Sequence, residues 1–244
     1  MTQICILNER NRNGCTSCAP TCPHRIAMQG LNGKGGRIAL AGAPASYRHL
    51  TLNNSPARES QSKAYGLLEK YVSTFQRMFD ADSERIKSLY LFSVSPGNGK
   101  TTSSICLMNA YIIENYLGSL KRGIQPTQHP AMFLDINEMQ TKYNLATMTN
   151  DEAGLNEIKT IIKRASSVDF LVCDDIGLRG STESFRSLVH AIINARTTAD
   201  KPTVYTSNIP INELATVFDA RLADRVRDQC AVIAFEGESK RGKR

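Results

Sequence analysis

The sequence predicts an α/β protein built on a mainly parallel sheet, and three observations carry that expectation. From residue 88 onward, short apolar runs alternate with longer stretches whose apolar residues recur at helical spacing. This is the pattern of buried strands joined by helices. A glycine-rich loop, VSPGNGKTT (94–102), links the first run to a helical stretch. A later run, VDFLVCDD (168–175), ends on two carboxylates.

Residues 1 to about 30 form a cysteine-rich head, followed by the glycine-rich link GLNGKGGR. The next stretch, IALAGAPASYRHLTLNNSP, is punctuated by Pro44 and Pro56 and reads as extended. Over 59–79, Tyr65, Leu68, Tyr71, Val72, Phe75 and Phe79 fall at helical spacing. LYLFS (89–93) is a short apolar run that ends in a turn, as a buried parallel strand does. From Gly99 to Leu117, Ile105, Met108, Ile112 and Tyr116 share a helical face.

AMFLDI (131–136) is the second strand, and a helix capped by Asn150 or Asp151 carries Leu155, Ile158, Ile161, Ile162 and Ala165. The run 168–175 is the third strand, 183–197 a helix, and 202–208 a fourth strand. Short helices at 211–218 and 220–227 lead to a last strand at 230–235. The expected organisation is a head over 1–35, a linker with an extended segment over 36–60, and one main domain over 61–244.

With 244 residues, 41% hydrophobic and 22% charged, the chain has the composition of a globular domain. It holds no apolar run of about 18 residues, so no membrane span is expected. MTQICILNERNRNGC lacks the apolar core of a secretion signal, so cytoplasmic residence is expected. The net charge of +7 points to contact with a polyanion, and the tail SKRGKR concentrates part of it.

Four of the seven cysteines lie in the first 22 residues, whereas Cys106, Cys173 and Cys230 fall in apolar segments as core residues. Such crowding in a cytosolic chain favours metal over disulfides. Cys15, Cys18 and Cys22 are spaced C-x₂-C-x₃-C, with Cys5 ten residues before and His24 two after. Zinc takes four nitrogen or sulfur ligands. Cys5 is the preferred fourth ligand and His24 the alternative. A segment this short needs such a staple to fold.

The loop after residue 93 has what a phosphate cradle requires: a strand end, a tight turn whose amides point inward, and a helix N-terminus. Pro96, Gly97, Asn98, Gly99, Lys100, Thr101 and Thr102 would line ATP. Lys100 supplies a charge for the terminal phosphates and Thr101 a hydroxyl for Mg²⁺. Val94 stands where the strict pattern has its first glycine. Asp174 lies 74 residues after Lys100, at the end of a buried strand, where a Mg²⁺–nucleotide site needs a carboxylate. Asp175 follows as general base. Asn208, closing VYTSN, would orient the attacking water. Arg221, Arg225 and Arg227 lie on one later helix.

In order, AGAPASYRHLTL, LYLFSVSPGNGKTT, FLVCDDIG, PTVYTSN, RLADRV and FEGESKR resemble the DnaC/DnaI-type replicative helicase loaders over roughly residues 40 to 244. These are AAA+ ATPases, and transposition ATPases of the IstB type share their core. The resemblance implies a five-stranded parallel sheet flanked by helices, without a full C-terminal lid, since 36 residues follow Asn208. It assigns Lys100, Thr101, Asp174 and Asp175 to nucleotide, Mg²⁺ and water, and Asn208 to the first sensor. Arg221 becomes a finger reaching a neighbour's nucleotide, and Arg241 a C-terminal sensor.

The resemblance also implies single-stranded DNA contact by the segment IGLRGSTESFRSLVH. There Ser184 and Phe185, near Arg179 and Arg186, match the family's polar/aromatic pair with a one-residue difference in spacing; Phe185 as a core residue is the alternative. The resemblance makes the head a reduced zinc domain that engages a hexameric replicative helicase, with self-association in ATP. The expected function is ATP-dependent loading of that helicase. The alternatives are an IstB-type transposition helper and an ATP-binding adaptor or inhibitor.

Overall fold

A computed structural model of the chain describes residues 6–7, 19–177, 180–237 and 239. The strands are β1 (Ser88–Phe92), β2 (Ala131–Asp135), β3 (Phe170–Asp174), β4 (Thr203–Ser207) and β5 (Cys230–Ala234). They form one sheet in the order β2-β3-β4-β1-β5, and every neighbouring pair is parallel. Parallel neighbours need crossover connections. Helix α4 (Lys100–Lys121) joins β1 to β2, α5 (Ile136–Met148) and α6 (Glu152–Ser167) join β2 to β3, α7 (Glu183–Thr198) joins β3 to β4, and α8 (Ala220–Gln229) leads into β5.

Alternation along each strand sends side chains to opposite faces. Leu89, Leu91, Phe133, Val172 and Val204 face one core with α4 and α3 (Ser62–Ser73). Tyr90, Met132, Leu134, Leu171 and Tyr205 face a second core with α5 to α8. Polar side chains fix where several helices begin: Asp135 accepts from Glu138 N, Thr182 from Phe185 N and Asp219 from Leu222 N. On the sheet's far edge, β5 buries only Ile233 well.

Fully buried Arg196 ties the segments leading into β3 and β4 together. It donates to the carbonyls of Ala165 (2.8 Å), Val168 (2.7 Å) and Pro202 (2.8 Å) and to Thr203 Oγ1 (2.7 Å). Burial lowers its pKa to about 10. Among the described residues, no helix is long and apolar enough to cross a membrane.

Four local differences from the sequence reading have physical causes. The stretch expected to be extended opens with a five-residue helix, α2 (Gly36–Leu40), held by Arg37, which donates to the carbonyls of Thr127 (2.8 Å) and Pro126 (3.1 Å). Helix α5 was not expected; its apolar pattern is weak, but Asp135 caps it and Ile136 and Met139 are buried. The helix over 59–79 tightens to a 3-10 turn at Thr74. Helix α4 continues four residues past Leu117, to Lys121.

Helix α1 (Pro23–Gln29) and α2 pack on the α4 side of the sheet, with Met28 and Ile38 in that core. The chain after them runs back along one ridge of α4. Asn109 Nδ2 donates to Leu50 O (2.8 Å), Cys106 Sγ to Thr51 O (3.2 Å), and Tyr65 OH bridges Ser55 and Ser103. Ala57 then meets Gly99, where an added Cβ would approach to 2.5 Å. This ridge ends at the glycine-rich loop 94–99.

Candidate functional site

All five strands run the same way, so their C-terminal ends share one edge, where ligands of open parallel sheets bind. The loop 93–99, Asp174, Asp175 and Asn208 gather there. Gly97 and Gly99 have φ of 77° and 102°, backbone that glycine adopts without strain. Val94 has no positive φ and is 76 % exposed, so its side chain meets solvent and the missing glycine costs the turn nothing.

Buried Lys100 donates from Nζ to Asn208 Oδ1 (2.7 Å), with Ser93 O and Ser95 O each at 3.4 Å. Thr101 Oγ1 donates to Asp174 Oδ2 (3.0 Å), and Thr206 Oγ1 donates to Asp174 Oδ1 (2.7 Å). The same Thr206 hydroxyl accepts from Asp175 N (2.9 Å). Burial pushes the Asp174 carboxyl up to about 6, against the lowering effect of the two threonine hydroxyls. A hydroxyl and a carboxylate 3.0 Å apart form an oxygen-only donor pair that suits Mg²⁺.

Asp175 occupies left-handed backbone at φ 58°, uncommon outside glycine and concentrated at functional sites. This turn carries its carboxylate away from Asp174 and towards Asn137, whose Nδ2 donates to Asp175 Oδ2 (2.9 Å). Pro96 is exposed and Thr102 is buried on the first turn of α4. Asn98, 2 % exposed, donates to Ser93 Oγ and to Phe235 O (3.4 Å), which fastens the loop to the segment after β5.

The sequence expectations thus converge for Lys100, Thr101, Asp174 and Asn208, with Asp175 alongside. Arg221 lies apart from these contacts, exposed on the first turn of α8. It lines a cleft of about 580 Å³ with His190, Asn194, Asp219 and Arg225. Asp219 caps α8 and accepts from His190 Nε2 at 2.7 Å, while Arg225 donates to Asn194 Oδ1 (2.5 Å). A helix N-terminus repels a cation, so Arg221 stands where helix electrostatics alone would not put an arginine.

Of the two readings of Phe185, its burial selects the core one. Phe185 is fully buried and packs 5.6 Å from Tyr143, centroid to centroid, so it is a core residue with no face for stacking a base. Its neighbour Ser184 is exposed and Arg186 half-buried. Arg179, Arg241, Cys5, Cys15 and Cys18 lie outside the described residues. Cys22 is half-buried just before α1, and His24 Nδ1 hydrogen-bonds Tyr116 OH (2.9 Å). Sequence reasoning missed Thr206 and Asn137. Thr206 lay inside VYTSN, and strand alternation from the inward Val204 was the available signal for it.

A family model described as "IstB-like ATP binding protein" matches residues 138–244. The replicative helicase loader DnaC of Escherichia coli K12 is 23% identical over 169 residues, covering 69% of this chain and 59% of that protein. The chain therefore spans under two thirds of that curated relative. The crystal structure of DnaI superposes with a TM-score of 0.55 at 21% identity, over 80% of this chain and 95% of that one. The crystal structure of the DnaC helicase loader gives 0.56 at 19% identity, over 79% of this chain and all of that one. The chain shares the fold of these structures, an α/β core on a five-stranded parallel sheet, and it is similar to the DnaC-type loaders.

Proposed function

We propose that this relative of the DnaC-type loaders is an AAA+ ATPase that loads a hexameric replicative helicase onto single-stranded DNA. ATP binding would order the assembly, and hydrolysis would release the helicase. The observation that supports this most is a pair of neighbouring contact sets, Lys100 with Asn208, and Asp174 with both Thr101 and Thr206. The amides of 97–101 and Lys100 bind and orient the terminal phosphates. Thr101 and Asp174 would hold Mg²⁺, which when bound neutralises charge on those phosphates. Asp175, oriented by Asn137, takes the proton of the attacking water, and Asn208 orients that water.

Arg221, and with it the tail's Arg241, would meet the charge that develops on the transferred phosphoryl group. Because Arg221 is apart from its own chain's phosphate loop, it serves a neighbouring copy, and self-association follows. Residues 1–35 would carry zinc on Cys5, Cys15, Cys18 and Cys22, with His24 the alternative, and contact the helicase. Residues 61–244 supply the ATPase.

DNA-stimulated ATP turnover in Lys100→Ala and Asp175→Asn chains tests the catalytic reading; undiminished turnover in both would end it. Zinc analysis of Cys15→Ser should show the metal lost, and full retention would refute the ligand set. The IstB-like family match favours a second reading, a helper ATPase for a transposase. Co-assembly with a replicative helicase in ATP decides for the loader, and retention of transposase alone decides against it.

A further inference from the structure

The net charge of the chain is not spread over it. Residues 10–58 hold seven Lys and Arg and no carboxylate. The whole chain has 30 Lys and Arg against 23 Asp and Glu, so the remainder balances at 23 against 23. All of the +7 therefore comes from this one stretch. Its described part, from residue 19, is the layer of α1, α2 and the following segment packed on α4.

Two of the layer's five described cations have structural roles. Arg37 is buried on backbone carbonyls, and Arg58 pairs with Glu69 at 2.7 Å. The other three, Arg25, Lys34 and Arg48, have no ion-paired carboxylate among the described residues. Arg48 donates to Ala43 O and Lys34 O, both at 3.3 Å, which sets its guanidinium beside the Lys34 turn. Gln29 Nε2 donates to His49 Nδ1 (2.8 Å) and joins α1 to the same patch. Burial lowers the His49 pKa, and the charges of Arg48 and Arg25 lower it further, so both guanidiniums act on one imidazole. Cations gathered this way repel one another unless an anion joins them.

We propose that this acid-free layer is a nucleic-acid-binding face on which Arg25, Lys34 and Arg48 contact the phosphates of a single strand. Half-buried Tyr47, adjacent to Arg48 and His49, adds aromatic surface of the kind on which bases stack. An anionic membrane is the rival surface, and the test below separates it from a single strand. The face is separate from the α7 segment expected to bind DNA, and it does not depend on ATP hydrolysis.

The test measures binding of a fluorescent oligo-dT by the full chain across a salt series. Lys34→Gln, at an exposed side chain, should lower the slope of log affinity against log salt by about 0.7, the value for one phosphate of a single strand. The Arg25→Gln/Lys34→Gln/Arg48→Gln chain should lower it by about 2. Arg25→Lys/Arg48→Lys should keep the slope, and equal thermal melts establish that the variants are folded. A triple variant with the wild-type slope overturns the proposal, even if the chain binds DNA elsewhere and the loader reading stands. So does a wild-type chain that binds anionic phospholipid vesicles but no oligo-dT. Loss of helicase association with DNA affinity intact also overturns it, by assigning the face to an acidic protein surface.

Discussion

The phosphate loop and the start of α8 differ in how their polar groups are satisfied. At the loop, Lys100 bonds Asn208 while Asp174 accepts from Thr101 and Thr206, and Lys100, Asp174 and Thr206 are buried. At α8, Asp219, His190, Arg225 and Asn194 pair off around the cleft, while Arg221 is exposed on the helix's positive end. The first region gathers its polar groups within one chain. The second presents a cation outward, which suits a site completed by another copy.

Changes at the two regions should therefore fail differently. Arg221→Ala should lower ATP turnover by roughly 10³-fold, within the range found for arginine fingers, while nucleotide affinity measured by calorimetry changes little. A loss of affinity instead would place Arg221 at its own chain's nucleotide. Asp175→Asn should cost on the order of 10²-fold in kcat with KM nearly constant, as loss of a general base does. Asn137→Ala should reduce kcat by about ten-fold through the freed Asp175, the low end for one hydrogen bond to a charged group. Equal kcat in steady-state assays of both chains would make that contact incidental.

The two neighbours Phe185 and Ser184 sharpen the picture of α7. Phe185→Ala should destabilise the chain by about 3–5 kcal/mol, as truncation of a buried aromatic does. Ser184→Ala should fall within about 0.5 kcal/mol, as exposed substitutions do. Urea melts distinguish them, and a mild Phe185 variant would contradict its core position.

The gathering of Lys100, Thr101, Asp174 and Asn208 was legible because the chemistry expected of a phosphate cradle constrains residue type and order at once: glycines at the turn, then lysine and threonine, then carboxylates at a strand tip. Val94 looked like a defect in sequence, since spacing says nothing about whether a position needs positive φ. Phe185 stayed open between stacking and core because a single aromatic near arginines does not reveal its helix face; Thr182 capping fixes the register that turns it inward. Asn137 escaped notice for a related reason, since α5 is recognised by its cap and its two buried residues rather than by a strong apolar stripe. Arg37 and Arg196 could not be read at all, because arginine is usually exposed and their acceptors are carbonyls distant in the chain.

The most direct test mixes two inactive chains, Lys100→Ala and Arg221→Ala, and measures ATP turnover. In the mixture, an intact cradle on the Arg221→Ala chain can meet an intact arginine on the Lys100→Ala chain. The account predicts turnover well above either variant alone. Turnover no higher than the two variants measured separately would contradict a site shared between copies.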